Sequence, residues 1–230
     1  MKNTKNNERI KKARERIKHE EVVLFGLSGK MAAGKDTIGE KVSQELLNQG
    51  FWIEETSFGY IIRKEIEDVV KAYNSEEDLT QFSADLKDIK TLVDIMKGFN
   101  IFERSEQSRT ALQFWGTDVR RSQNREYWID KMEEFLVDSI LKGKSVNVTD
   151  SRFPNEVDLI RKLGGKVIRL EIPEYVQIQR IKERDNIDVD KKILHHHSEI
   201  ALDNYPFEVL YDGTKEPTKL TNSIISYLLQ

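Results

Sequence analysis

EVVLFGLSGKMAAGKDT, residues 21–37, is the stretch whose reading decides the fold. An apolar run at 22–27 leads into Gly29, and after Lys30, Met31, Ala32 and Ala33 come Gly34 and Lys35. A helical stripe of Ile38, Val42 and Leu46 then begins at once. Strand, short loop and helix in that order let consecutive backbone N–H groups turn inward around an anion. The helix N-terminus adds its partial positive charge, and Lys35 reaches the outer phosphates. A glycine-rich turn that contains a lysine by chance would lack the flanking strand and helix. The loop read as phosphate-binding comprises Gly29, Ala33, Gly34, Lys35, Asp36 and Thr37, with Asp36 standing where Ser or Thr usually follows the lysine.

Composition narrows what surrounds that loop. A chain of 230 residues can bury one sizeable core with a small inserted subdomain. With Lys+Arg 37 against Asp+Glu 40, the formal net charge is -3, so no global basic field marks a nucleic-acid binder and none is expected as a partner. The chain has no cysteine, which excludes a disulfide framework and thiolate zinc ligands and fits a reducing cytoplasm. Apolar runs are too short for a membrane span, and no apolar segment of signal-peptide type precedes the first strand. Residues 1–20 are mostly charged and read as a solvated arm or frayed helix, followed by one domain over 21–230.

Strand and helix periods then alternate. Residues 51–56 read as a second strand, and Ile62, Ile66, Val69 and Tyr73 as a helix with Arg63 in its first turns. Such a helix start lies at the carboxyl edge of a parallel sheet, where Arg63 can reach a ligand or be merely solvated. Residues 74–105 are polar and loosely helical and read as an insertion. In SRTALQFWGTDVRR, Arg109 and Gln113 share a helix face, and Gly116 with Thr117 ends or bends that helix. A guanidinium, a carboxamide and a hydroxyl would thus converge, with Arg120 or Arg121 behind them. Guanidinium suits a phosphate dianion and a carboxamide can pair with a base edge; the alternative is a surface amphipathic helix.

Further on, SVNVTDSRFPNE gives a strand ending at Asp150, with Arg152 two residues later. An acid there is where a phosphate-loop enzyme holds Mg²⁺, with Arg152 over the phosphates. Alternatively Asp150 caps the next helix and Arg152 pairs with Glu156. Residues 167–172 and 207–211 complete five strands, so the alternation predicts a three-layer α/β fold with a five-stranded parallel sheet and helices on both faces. Arg180 and Arg184 lie one turn apart on a helix and can neutralise charge on a transferring phosphoryl group, or pair with nearby acids in solvent. The run His195-His196-His197 is not read as a zinc site, because adjacent histidines cannot all face one ion on regular structure.

Taken together, GLSGKMAAGKDT, RTALQFWGTDVRR with YW, TDSRFPNEVDLIRKLGG, QRIKERD, HHSEIAL and YDGT resemble the phage-type deoxynucleoside monophosphate kinases, a branch of the P-loop nucleoside monophosphate kinases. The resemblance runs in order from about Val22 to the end, and leaves the arm and most of 74–105 unmatched. It implies transfer of the γ-phosphoryl of ATP to a deoxynucleoside monophosphate with Mg²⁺, in a cytoplasm (the host's, if phage-encoded), and leaves room for a homodimer. It also implies a nucleotide-binding helical insertion and a lid over about 176–198. By the same resemblance, residues 29–37 cradle the ATP phosphates, and Asp212 and Gly213 flank the adenine. Arg63, Arg109, Gln113, Thr117 and Arg121 hold the acceptor, and Arg180 and Arg184 lie in the lid. Asp36 matches the family's Gly-Lys-Asp variant and, beside Asp150, becomes a second carboxylate for Mg²⁺. Tyr60-Ile61 replaces the family's more usual acid and proline. Two other readings fit the phosphate loop: a kinase of another phosphorylated metabolite, phosphomevalonate-like, and a P-loop ATPase or binding module without an acceptor.

Overall fold

Five aliphatic-rich strands build one fully parallel sheet in the order β2-β3-β1-β4-β5: β1 (Leu24–Gly29), β2 (Ile53–Thr56), β3 (Ser145–Ser151), β4 (Lys166–Glu171) and β5 (Val209–Asp212). These elements are those of a computed structural model, which describes residues 2–103, 105–185, 194–195 and 197–230. The chain divides into two units, Met1–Ser57 with Glu133–Gln230, and Phe58–Met132. Among the described residues no helix is long and apolar enough to cross a membrane.

In the first unit the period-two alternation of the strands sorts side chains onto two faces. Phe25 and Leu27 of β1, with Ile168 and Leu170 of β4, point to one side. There they bury Ile38, Val42 and Leu46 of α2 (Lys35–Asn48) and Leu220, Ile224 and Leu228 of the terminal helix, α9 (Pro217–Leu228). Leu24 and Gly26 point to the other side, where Ile160 of α7 (Pro154–Lys162) packs so closely that a Cβ on Gly26 would lie 2.5 Å from its Cδ1. The α/β architecture read from the sequence is therefore the one observed. Because β3 and β4 flank β1 on opposite sides, the strand order reverses at β1 and opens a crevice at its carboxyl end.

The segment read as a solvated arm or frayed helix is helix α1 (Lys2–Lys18), and it is docked rather than solvated along its length, since Ala13 on it is fully buried. Its Arg16 donates from Nη1 to the carbonyls of Ile140 (2.9 Å) and Leu141 (3.0 Å) and from Nε to Glu21 (2.7 Å), while Arg9 pairs with Asp138. The last carbonyls of α6 (Tyr127–Leu141) have no partner within their own helix, so a single guanidinium nitrogen that donates to two of them anchors the arm. Only Ile10, Ala13 and Ile17 mark this stripe in the sequence, too little apolar surface to separate it from a frayed helix.

The second unit is all helical: α3 (Phe58–Asn74), a 3₁₀ turn (Leu79–Phe82), α4 (Leu86–Met96), α5 (Glu106–Gln113), a π-helix (Phe114–Arg121) and the start of α6. It is larger than the insertion expected at 74–105, because α3 packs its apolar stripe on α4 rather than standing apart from it. Of the two alternatives read at Gly116 and Thr117, an end or a bend of the helix, the end is not there. The helix widens into the π-turns instead, and the Trp128 indole donates to the Gly116 carbonyl at 2.9 Å, satisfying a backbone group inside the distortion.

This unit is built on a buried acid. Glu65 accepts from Trp115 Nε1 (3.0 Å), Arg120 Nε (2.6 Å) and Tyr127 OH (2.6 Å), and the Arg120 guanidinium lies over the Trp115 and Tyr127 rings. Arg120 is 1% exposed and Glu65 10%. Removing one partner of such a pair strands the other charge in low dielectric, so Glu65→Ala is expected to destabilise this unit by about 3–5 kcal/mol. Urea unfolding followed by tryptophan fluorescence checks it; a change below about 1 kcal/mol, the size of an exposed ion pair, would show that Arg120 finds another partner.

Candidate active site

The loop after β1 carries the backbone shape of an anion cradle. Gly34 sits at φ +94° and Ala32 at φ 60°, so the chain twice enters the left-handed region between the strand and α2. Ala32 has a Cβ there and is strained, the kind of outlier that clusters at ligand sites. Lys35 opens α2 and folds back over the loop, donating to the Gly29 carbonyl at 2.8 Å and the Lys30 carbonyl at 3.2 Å. It is 7% exposed. Burial lowers its pKa from the ordinary lysine value, and Asp150, with Oδ1 3.6 Å from Nζ, is the largest influence in the other direction.

Asp150, near the end of β3, divides its two oxygens between different tasks. Oδ2 accepts from Arg152 Nε at 2.7 Å, whereas Oδ1 is buried and makes no hydrogen bond among the described residues. It does not cap α7. Glu156 does that, accepting from the backbone N–H of Arg152 (2.8 Å) and Phe153 (3.2 Å). The Arg152 guanidinium pairs with Asp150 and, through Nη1, with Glu199. Burial works against the Arg152 charge, but Asp150 and then Glu199 outweigh it and raise its pKa. An anionic oxygen without a hydrogen bond, beside the lysine of the loop, suits a divalent cation. No three His, Asp or Glu side chains converge among the described residues, so Mg²⁺ at Asp150 would take most ligands from phosphate and water, as it does in phosphotransfer sites. Asp36 lies exposed in the first turn of α2.

Two further contacts hold the loop from outside. Arg180, on α8 (Glu174–Asp185), donates from Nη1 to the Ala32 carbonyl (3.1 Å) and from Nη2 to the Gly213 carbonyl (3.0 Å). In this structure it therefore staples the phosphate loop to the turn after β5. In that turn Asp212 accepts from the Thr214 backbone N–H (2.9 Å) and hydroxyl (2.6 Å), which lower its pKa, and Gly213 N donates to the Glu171 carbonyl at 2.8 Å. Asp212 thus shapes the turn, and Gly213 is its contact surface: a Cβ there would meet the Ala33 carbonyl at 2.8 Å and Ile172 Cγ2 at 2.9 Å. Beside it, a cleft of about 990 Å³ at the carboxyl ends of β4 and β5 is lined by Gln177, Arg180, Tyr211, Asp212 and Thr214.

On the second unit, Arg109, Gln113, Thr117 and Arg121 recur every fourth residue along α5 and the π-helix. An α-helix drifts forward over four residues, whereas the wider π-turn falls short, so the four stay in one row. The first three are exposed and Arg121 is half-buried. Arg120 is committed to Glu65, which leaves Arg121 as the arginine of that pair in the row. Arg63 is half-buried on α3. Arg184 is exposed at the end of α8, and residues 186–193 and His196 of the expected lid lie outside the described residues. His197 packs its ring against Phe153 at 5.5 Å.

The sequence reading missed Glu199, Asp203 and Arg169. Glu199 accepts from the Met31 backbone N–H at 2.6 Å; Asp203 pairs with Lys30 (3.0 Å) and Arg169 (3.4 Å); Arg169 donates to Ser28 Oγ at 3.1 Å. The one available signal was Glu199 inside HHSEIAL, which carries no local pattern pointing to a loop 168 residues away.

No family model matches the chain, and no curated protein matches it. Among solved structures it is similar to an unliganded sugar kinase from a Janibacter species, with 15% identity, TM-score 0.47, and coverage of 90% of this chain and 94% of that one. It is also similar to a gluconokinase from Sinorhizobium meliloti (14% identity, TM-score 0.45, 90% and 91% covered). A shikimate kinase from Acinetobacter baumannii, in complex with shikimate, is a third (14%, 0.42, 90% and 93%). Likeness at this level does not carry a substrate, and the assignment of this site rests on its own residues.

The contact of Gly213 with the loop generates an expectation. Gly213→Ala pushes the Ala33 carbonyl out of place, an overpacking worth about 1–3 kcal/mol, and should weaken binding of an ATP analogue by roughly tenfold while the far-ultraviolet circular dichroism is unchanged. Unaltered calorimetric affinity would show that the turn after β5 does not shape the cradle.

Proposed function

We propose that this chain is an ATP-dependent kinase that phosphorylates a deoxynucleoside monophosphate, giving the deoxynucleoside diphosphate and ADP. The observation that carries the reading is the buried Lys35 ammonium, folded over a left-handed loop and set 3.6 Å from an Asp150 oxygen that lacks a hydrogen bond among the described residues. A charge kept there by loop carbonyls is arranged for a polyphosphate, whose oxygens offer the lysine better partners than two carbonyls. The row of Arg109, Gln113, Thr117 and Arg121 supports a phosphorylated acceptor with a base. A hydrolase would need neither a second set of guanidiniums nor a carboxamide beside them.

In this reading the loop amides and Lys35 hold the β- and γ-phosphates, and Arg152 and Arg180 neutralise charge on the phosphoryl group in transfer. Arg63, Arg109 and Arg121 bind the acceptor phosphate, one oxygen of which forms the new bond to the γ-phosphorus as the bond to the β–γ bridging oxygen breaks. Gln113 meets the base edge. Mg²⁺, held by Asp150 directly or through water and by Asp36 in support, would supply charge neutralisation at the β- and γ-oxygens. Phosphoryl transfer of this kind needs alignment and electrostatics rather than a protein nucleophile, which accounts for a site rich in arginine and without cysteine.

Three measurements test this. Coupled ADP production should depend on a deoxynucleoside monophosphate and stay near background with phosphomevalonate-like metabolites or with no acceptor; no dependence on any nucleotide would end the proposal. Lys35→Ala should keep its fold and lose about 10²–10³-fold in kcat. Asp36→Ala should raise the magnesium concentration needed for half-maximal rate by roughly several-fold, while an unchanged titration would leave Asp36 as a helix-start residue only.

A further inference from the structure

Glu199 is an acid where an anion-binding site should avoid one. Its side chain is 2% exposed, and burying a carboxylate is costly unless it is paired. Both partners it is given belong to the candidate site and neither is local: the Met31 backbone N–H at the front of the phosphate loop, and the Arg152 guanidinium. One turn further on, Asp203 pairs with Lys30, the neighbouring loop residue, and with the buried Arg169. Residues 199–203 therefore take hold of the loop at Lys30 and Met31 in succession, through two carboxylates.

We infer that Glu199 is a positioning residue, which presets the Arg152 fork and the front of the phosphate loop for a triphosphate. Arg152 lies between two acids, with Nε on Asp150 and Nη1 on Glu199. A guanidinium held along two of its edges has a fixed plane and loses little freedom when it meets a phosphate oxygen. Two cations, Lys35 and Arg152, face two acids, Asp150 and Glu199, so the site holds its charges in place before any phosphate arrives. The inference rests on the phosphate-binding reading of this site, not on the identity of the acceptor.

A double-mutant cycle read in binding separates the two. Affinity for the imido analogue of ATP with Mg²⁺ is measured by calorimetry for the full chain and for Glu199→Gln, Arg152→Ala and the double variant, with thermal unfolding as the check of fold. Glu199→Gln keeps the size and an acceptor for Met31 but loses the charge that holds Arg152. It should weaken binding about tenfold alone and less than twofold in the Arg152→Ala background, because its effect runs through Arg152. Equal losses in both backgrounds would overturn the inference. So would tighter binding by Glu199→Gln, the signature of an acid that merely occupies the place of a phosphate. Arg152→Lys, which keeps charge but cannot present a fork to two acids, should also lose affinity; wild-type affinity there overturns the inference whether or not Glu199→Gln folds. A wild-type chain that binds the analogue but phosphorylates no deoxynucleotide would refute the substrate assignment alone, whereas one that does not bind it would refute both.

Discussion

A single buried ammonium organises the first unit. Lys35 is withdrawn from water, and desolvation alone would favour its neutral form, so the structure around it has to return the lost stabilisation. It does so with the carbonyls of Gly29 and Lys30 and with the charge of Asp150. This ties the end of β1 to the end of β3 and fixes a loop whose own backbone is strained at Ala32. The parallel sheet makes the arrangement available, because β1 and β3 deliver their carboxyl ends side by side. Without that adjacency Lys35 would be a surface lysine after a turn.

Every other contact at the loop follows from the need to keep this charge set rigid. Arg180 and Gly213 close the loop on one side, Glu199 and Asp203 hold Lys30 and Met31 on another, and Arg152 links Asp150 to Glu199. Buried ion pairs contribute little net stability, since desolvation cancels much of the Coulomb gain. What such a network does provide is a defined geometry, in which each charged group is held along more than one edge. The arginines and acids around the loop are better understood as an alignment device than as a source of folding free energy.

The second unit applies the same principle for a structural end. Glu65, Arg120, Trp115 and Tyr127 form a polar core, with the cation sandwiched by two rings. Burying Arg120 in this way separates it from its neighbour Arg121, although the sequence presents them as equivalents. The π-turns at Phe114–Arg121 let Trp115 and Arg120 point inward while Thr117 and Arg121 continue the row begun by Arg109 and Gln113. A helix that ended at Gly116 could not have done both.

The sequence by itself determined the α/β class, the five strands and the glycine-rich loop that carries Lys35 between β1 and α2, because each is encoded locally. Strand and helix periods appear within a few residues, and the loop motif spans only seven positions. It also placed Arg109 and Gln113 on one face, since helical spacing requires it. Only the tertiary structure decided that α1 docks through Arg16 onto the end of α6, that Arg120 is structural, and that Arg180 staples the loop to Gly213. The same holds for Glu199 and Asp203 as its distant anchors. Each of these depends on a charged side chain meeting a partner far along the chain. Charged residues are ordinarily solvated, so nothing in their local spacing distinguishes the few that folding will bury.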